Sequence, residues 1–278
     1  MAERIIHSDG DLRPDIPLAG AEERGLFVKR IEQALLAGDA DLAVHSLKDL
    51  PTRQPDGLRI AAVPVRHDPR DALVSRDGWT LETLPPGTAV ATGSFRRRAQ
   101  ILHRRPDLRV VPVRGNVDSR VRKLTEGAFG ALVLAVAGVE RLGIEGVEIR
   151  PLDLRDMLPA VGQGALALEI REGDSGLHDI VRALDHEASH TAVAGERAFL
   201  RRLGGGCLAP ATGFAREVDG VLRIDAVVGS PDGEVLLGDG ESGPAEHAEA
   251  IGVRLAERLL CAGAGRLLDL ARRAVDAG

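Results

Sequence analysis

TAVATGSFRRRAQILHRRPDLRVVPVRGNVDSRVRKLTEG, residues 88–127, alternates short β-branched runs with arginine-rich stretches of helical character. "TAVATGS" reads as a strand leading into the helix "FRRRAQILHRR", and "LRVVPVRG" as a strand leading into the helix "NVDSRVRKLTEG". A third unit follows, strand "ALVLAVAG" and helix "VERLG". Repeated strand–helix units predict a parallel sheet covered by helices. In such a sheet both turns open at the carboxyl edge, where ligands usually sit. Free N–H groups at each helix start attract anions. Thr92 and Ser94 add hydroxyls, Arg96 and Arg97 can fork onto carboxylates, and the next strand end supplies Arg114 and, a turn later, Arg120. A solvated basic helix face is the alternative for any one of these arginines; two independent strand ends agreeing favours a site.

Residues 96–123 hold nine arginines and one lysine against Asp107 and Asp118, within a chain of formal charge -6. Such a patch calls for an anionic partner. No tyrosine, one tryptophan and five phenylalanines leave few stacking platforms, so nucleic acid fits poorly and a small polycarboxylate or phosphate fits better. No apolar run approaches the roughly 20 residues of a membrane span, and the opening "MAERIIHSDGDL" lacks a secretory signal's apolar stretch. A cytoplasmic protein with no membrane contact is expected. Cys207 and Cys261, far apart, argue against a disulfide framework or a zinc site.

Upstream, "LFVKRIEQALL" (26–36) places Phe27, Ile31, Ala34 and Leu35 on one helical face, and "DLAVHSL", "LRIAAVPVR" and "DALVS" read as strands. The polar "HDPR" between the last two reads as a crossover between domains. "HSLKDLP" (45–51) sets Lys48 and Asp49 at a strand terminus, where they make either a plain surface pair or a carboxylate and a cation facing a ligand. His45 alone reads as structural. Downstream, "LPAVGQGALALEIR" reads as a glycine-interrupted strand with Gln163 between glycines, and residues 178–202 as mainly helical. From Glu187 onward, "GFAREV", "VLRIDAVVG" and "EVLLGDG" are joined by the hairpin signals Asp219-Gly220 and "SPDG", and Ile251, Leu255 and Leu259 repeat at helical spacing. "LGGGCLAP" (203–210) puts Cys207 behind three glycines, either as a small apolar residue under a loop or as a working thiol.

In this order, "GLFVKRIEQALLAGDADLAVHSLKDLPT", "HDPRDALVS", "ATGSFRRRAQILHRRPDL", "VRGNVDSRVRKL", "ALVLAVAGVERLG", "LPAVGQGALALEIR" and "ERAFLRRLGGGCLAP" resemble the porphobilinogen deaminases, or hydroxymethylbilane synthases. The resemblance covers nearly the whole chain and is weakest past residue 211. It implies a transferase that joins four porphobilinogen molecules head to tail, releases ammonia at each step and hydrolyses off a linear tetrapyrrole. It implies Cys207 as the thioether anchor of a dipyrromethane cofactor on which the chain grows. Asp49 would be the catalytic carboxylate, assisted by Lys48 and steadying the cation left when ammonia departs. Arg96, Arg97, Arg114 and Arg120 would hold pyrrole acetates and propionates with Thr92, Ser94 and Lys48, while Arg141 and Gln163 would line the cleft. The implied fold is α/β in three domains: two lobes like those of periplasmic binding proteins, and a small α+β domain with an antiparallel sheet that carries the cysteine loop. Residues 1–64 and 165–182 would form the first lobe, 70–158 the second and 187–278 the third domain, in a monomer that needs no metal.

Members of that family begin with a strand of pattern R-x-x-T-R-x-S-x-L-A and a helix ahead of the segment matching "IIHSDGD", a unit of about 30 residues by ordinary element lengths. The expectation is therefore either a start further upstream or a truncated copy that only binds a small carboxylate or tetrapyrrole. Gly93 stands where the family has a second hydroxyl, and "AGAEERG" (19–25) replaces its glycine-lysine loop. A cysteine-nucleophile acyl transferase, the third reading, lacks a base near Cys207 in the sequence.

Overall fold

Asp71–Ser75 and Ala131–Ala135 are buried along their whole length. Strands that are apolar on both faces belong at the middle of a covered sheet. The computed structural model, which describes residues 5–6, 28–206 and 209–276, places them there. Its strands are β1 (Leu42–Ser46), β2 (Leu58–Ala62), β3 (Asp71–Ser75), β4 (Ala89–Ala91), β5 (Arg109–Val111), β6 (Ala131–Ala135), β7 (Glu148–Pro151), β8 (Leu166–Arg171), β9 (Ala211–Val218), β10 (Val221–Gly229) and β11 (Leu236–Pro244). The helices are α1 (Lys29–Leu36), α2 (Phe95–Arg104), α3 (Val117–Thr125), α4 (Val136–Leu142), α5 (Ser175–Val181), α6 (Glu187–Leu203), α7 (Ala248–Cys261) and α8 (Ala264–Asp276).

Three sheets result, ordered β1-β8-β2, β5-β4-β6-β3-β7 and β11-β10-β9. The middle sheet is mixed, which corrects the expected all-parallel arrangement. Strands β4, β5 and β6 run parallel, but β3 lies antiparallel to β6, and β7 to β3. The reason is how β3 arrives. It comes from the first sheet through residues 63–70, without a helix to carry the chain back to the opposite edge. It therefore starts where the parallel strands end: Asp71, its first residue, pairs with Ala135, the last of β6.

Alternation along the middle strands fills two cores, one with Leu73, Val90, Ile101, Val133 and Met157, the other with Val74, Ala91, Leu124, Leu132 and Leu134. The chain returns to the first sheet through residues 152–165, so two segments, 63–70 and 152–165, cross between the sheets. They are bonded to each other, His67 N–H donating to the Gly164 carbonyl at 3.0 Å. Gly164 has φ +84°, and a Cβ there would meet the His67 carbonyl at 2.6 Å, so only glycine allows the two segments this close. "LPAVGQGALALEIR" is thus a turn followed by β8, because its glycines serve this contact rather than a strand. The third sheet is all antiparallel. Asp219 and Gly220, with φ 52° and 77°, make the two-residue hairpin turn their sequence predicts. Phe199, Leu222, Ile224, Ile251 and Leu255 form its core with α6 and α7.

One fully buried carboxylate joins all three parts. Glu196 of α6 accepts both Arg66 Nη1 at 2.6 Å and Nη2 at 3.2 Å from the first crossover, Gly162 N–H at 2.7 Å from the second, and Ala215 N–H at 2.8 Å from β9. Removing it strands a buried guanidinium and two backbone donors. Glu196→Ala is expected to lose about 3–5 kcal/mol of stability, read from the denaturant midpoint. A loss under about 1 kcal/mol, the scale of an exposed pair, would contradict this role.

Candidate active site

Strands β4 and β5 end side by side, Ala91 opposite Val111, and each leads into a capped helix. The Ser94 hydroxyl accepts Arg97 N–H at 3.4 Å at the head of α2, and Asn116 Oδ1 accepts Ser119 N–H at 3.0 Å at the head of α3. Two helix starts therefore open on one sheet edge, as the strand–helix repeat predicts. Thr92 is buried behind them, its hydroxyl accepting Ser94 N–H at 3.2 Å. A Cβ on Gly93 would sit 3.1 Å from the Val113 carbonyl, so the missing second hydroxyl coincides with a tight backbone contact.

Arg96 and Arg97, in the first turn of α2, are both buried and both paired with the fully buried Asp71. Arg96 Nη1 donates to Asp71 Oδ2 at 2.8 Å, while Arg97 Nε and Nη2 donate to Oδ1 at 3.1 and 2.7 Å. Gln163 Nε2 adds a fourth bond to Oδ1 at 2.8 Å and also donates to the Pro69 carbonyl at 2.7 Å. Both partners of Nε2 are acceptors, which fixes the amide's orientation. That leaves Gln163 Oε1 buried and without a partner among the described residues. Burial alone would raise the Asp71 carboxyl; the charges and hydrogen bonds of Arg96 and Arg97 outweigh it and hold Asp71 well below the usual carboxylate range.

Lys48 and Asp49 approach from the other sheet. They lie on the single 3-10 turn Leu47–Asp49 that follows β1, anchored by Leu47 N–H on the Ala165 carbonyl at 3.0 Å. Burial lowers the half-buried Lys48 ammonium; Asp49 and Asp71 oppose the shift, and Arg97 and Arg96 add to it. Lys48 thus feels the charges of the Asp71 cluster. The protein mass around Asp49 raises its carboxyl, against Lys48, the Ser46 hydroxyl and His45, which lower it. Its surface is nevertheless open to water, and solvent at that face works against the rise. His45 itself is buried, its Nε2 3.0 Å from Glu169 Oε2, a structural position.

Arg120 joins the group, half-buried, its Nε donating to the Gly115 carbonyl at 2.7 Å and its guanidinium pKa lowered by burial and then by Arg97. Arg114 lies exposed at the same edge, and Arg141 is exposed on α4. Cys207 lies outside the described residues. Its loop leaves α6 at Gly204, Ala209 N–H donates to the Gly206 carbonyl at 2.9 Å, and the Thr212 hydroxyl donates to the Pro159 carbonyl of the second crossover. Cys261 is an exposed thiol at the end of α7.

Thr92, Ser94, Arg96, Arg97, Arg114 and Arg120 thus share one sheet edge, and Lys48 and Asp49 lie on the turn that follows β1 of another sheet. Residues 2–179 match the family model "Porphobilinogen deaminase, dipyromethane cofactor binding domain", and residues 190–261 match "Porphobilinogen deaminase, C-terminal domain". The chain belongs to the porphobilinogen deaminase family. The curated porphobilinogen deaminase of Rubrobacter xylanophilus is 52% identical over 270 residues, covering 97% of this chain and 87% of that protein. That of Desulforudis audaxviator is 50% identical over 267 residues, covering 96% and 86%. Among solved structures, the second substrate binding domain of a putative amino acid ABC transporter from Streptococcus pneumoniae covers 59% of this chain and 77% of its own at 14% identity and TM-score 0.40, a likeness too slight to bear on the fold.

The dipyrromethane cofactor of porphobilinogen deaminases fits the residues present. Its carboxylates suit the cationic edge, and the orphaned Gln163 Oε1 is an acceptor of the kind a pyrrole N–H needs. Asp71 and Glu196 carry no role in the sequence reading, although both leave a trace. Asp71 opens a wholly buried strand, and Glu196 interrupts the buried face of α6, positions where an acid requires a buried cation. No helix among the described residues is long and apolar enough to cross a membrane.

Proposed function

We propose that this chain condenses four porphobilinogen molecules head to tail on a dipyrromethane primer held by Cys207, releases ammonia at each step and hydrolyses off the linear tetrapyrrole hydroxymethylbilane. One observation carries the reading: Thr92, Ser94, Arg96, Arg97 and Arg120 gather where β4 and β5 end and two capped helices begin, a cationic edge suited to pyrrole carboxylates. When bound, the dipyrromethane supplies the nucleophilic carbon on which the chain grows. Positive charge develops on the substrate pyrrole as its aminomethyl nitrogen leaves, and Asp49, as a carboxylate beside it, stabilises that charge. The same carboxylate also serves to take up the proton released as each new carbon–carbon bond forms. Lys48, Arg96, Arg114 and Arg120 bind acetate and propionate groups with Thr92 and Ser94, Arg97 supports them through Asp71, and Gln163 and Arg141 line the cleft.

The lobes are residues 1–64 with 165–182, and 70–158; the third domain is 187–278, bringing Cys207 to the cleft between them. The protein works as a cytoplasmic monomer without nucleic acid. Turnover is the test. Purified protein given porphobilinogen should release ammonia and linear tetrapyrrole in a four-to-one ratio, and binding without consumption would refute the assignment.

A further inference from the structure

The Asp71 carboxylate is nowhere exposed, lies at the one sheet edge where the basic residues gather, and takes four bonds from three side chains. We propose that Asp71 is a positioning residue of this site: it fixes Arg96, Arg97 and Gln163 in one array and thereby decides which guanidinium nitrogens remain for a pyrrole's carboxylates. This rests on the function proposed above.

The two arginines are engaged unequally. Arg97 uses all three nitrogens on protein, Nε and Nη2 on Asp71 and Nη1 on the Val133 carbonyl at 2.9 Å. Arg96 uses only Nη1, shared between Asp71 and the Leu158 carbonyl, and its Nε and Nη2 make no hydrogen bond among the described residues. Those two nitrogens form one edge of the guanidinium fork, the pair that grips a carboxylate bidentately. Arg97 therefore acts through Asp71, and Arg96 is the arginine of the pair left to bind. A neighbouring cation repels each member of the cluster: Arg97 acts on Arg96, on Lys48 and on Arg120. A permanent buried anion keeps these groups together before any carboxylate arrives. It also joins α2 to both crossovers, through Gln163 and through its own place at the end of residues 63–70.

Carboxylate grips of this kind act alike on bound substrate and transition state, so their loss appears in KM rather than in kcat. Asp71→Asn is expected to raise the KM for porphobilinogen by about tenfold or more, with kcat within about threefold of wild type. The same substitution should lower the fraction of chains carrying the dipyrromethane mass after identical expression, a readout independent of turnover. Asp71→Glu keeps the buried charge paired but moves it by one methylene, and decides the matter if the Asn variant does not fold. It should raise KM by about threefold or more. An unchanged KM in a folded variant overturns the proposal, as does a fall in kcat alone. Wild-type protein that neither consumes porphobilinogen nor carries an adduct would sink the function itself; an active wild type with Asp71 variants at its KM would sink only the positioning role.

Discussion

Cys207→Ala protein will fold, carry no covalent pyrrole and form tetrapyrrole at a rate reduced on the order of a thousandfold or more. The magnitude follows from what a tether does. Held on the protein, the growing chain meets each incoming pyrrole at an effective concentration that free solution cannot match, and it survives between additions. Alanine removes only the sulfur. The framework of the loop depends on other atoms: the cap at Gly204, the bond between Ala209 and Gly206, and the Thr212 hydroxyl on Pro159. Circular dichroism should therefore match wild type, while the unfolding midpoint falls, because the cofactor's carboxylates stabilise the cationic edge only in the folded state. Intact mass decides the result. Wild type should be heavier than its sequence by one dipyrromethane, and Cys207→Ala should have the sequence mass. An adduct retained on the variant would move the anchor elsewhere, and the exposed Cys261 is the thiol to check next.

Asp49→Asn should keep the dipyrromethane mass yet slow turnover by about 100- to 10,000-fold, the span of lost proton transfer and lost charge stabilisation together. The amide preserves shape and removes the negative charge. A surface-pair role predicts near-normal rates instead, since exposed ion pairs contribute little. The pH profile gives a second handle. Burial raises the Asp49 carboxyl, and the group must be ionised to steady a cation, so kcat/KM should fall with decreasing pH at a limb above the ordinary carboxylate range. Lys48 lowers that pKa by its charge. Lys48→Met removes the opposing cation, raises the Asp49 pKa further and should move the acid limb to higher pH. A limb that stays in place would uncouple the two residues.

Much of the site was legible because its parts are contiguous. The hydroxyl–glycine turn and arginines of residues 92–97 carry a strand end, a cap and an anion-seeking helix start within six residues. Lys48 and Asp49 were likewise placed at a strand terminus. Less legible was what these side chains would bond. Arg96 and Arg97 read as free carboxylate hands, and the structure shows both already holding Asp71, with every nitrogen of Arg97 engaged in a hydrogen bond. Arg141 is expected to line the cleft and Arg120 to hold carboxylates; Arg141 stands exposed on α4, while Arg120 shares the half-buried edge.

The chain alone determined its strand–helix units, the Asp219-Gly220 hairpin, the polar link ahead of β3 and the family to which it belongs. These are properties of neighbouring residues: apolar period, capping side chains and turn conformation all act over a few positions. Tertiary structure decided the direction of β3 and the partners of the buried charges. A strand's own residues do not encode whether its neighbour runs with it or against it, and here the antiparallel entry of β3 delivers Asp71 to the edge that Arg96 reaches from 25 residues away. Glu196 and Arg66 meet across 130 residues for the same reason. A buried charge takes whichever counter-ion the packed fold brings within reach, and only the assembled sheets specify which one that is.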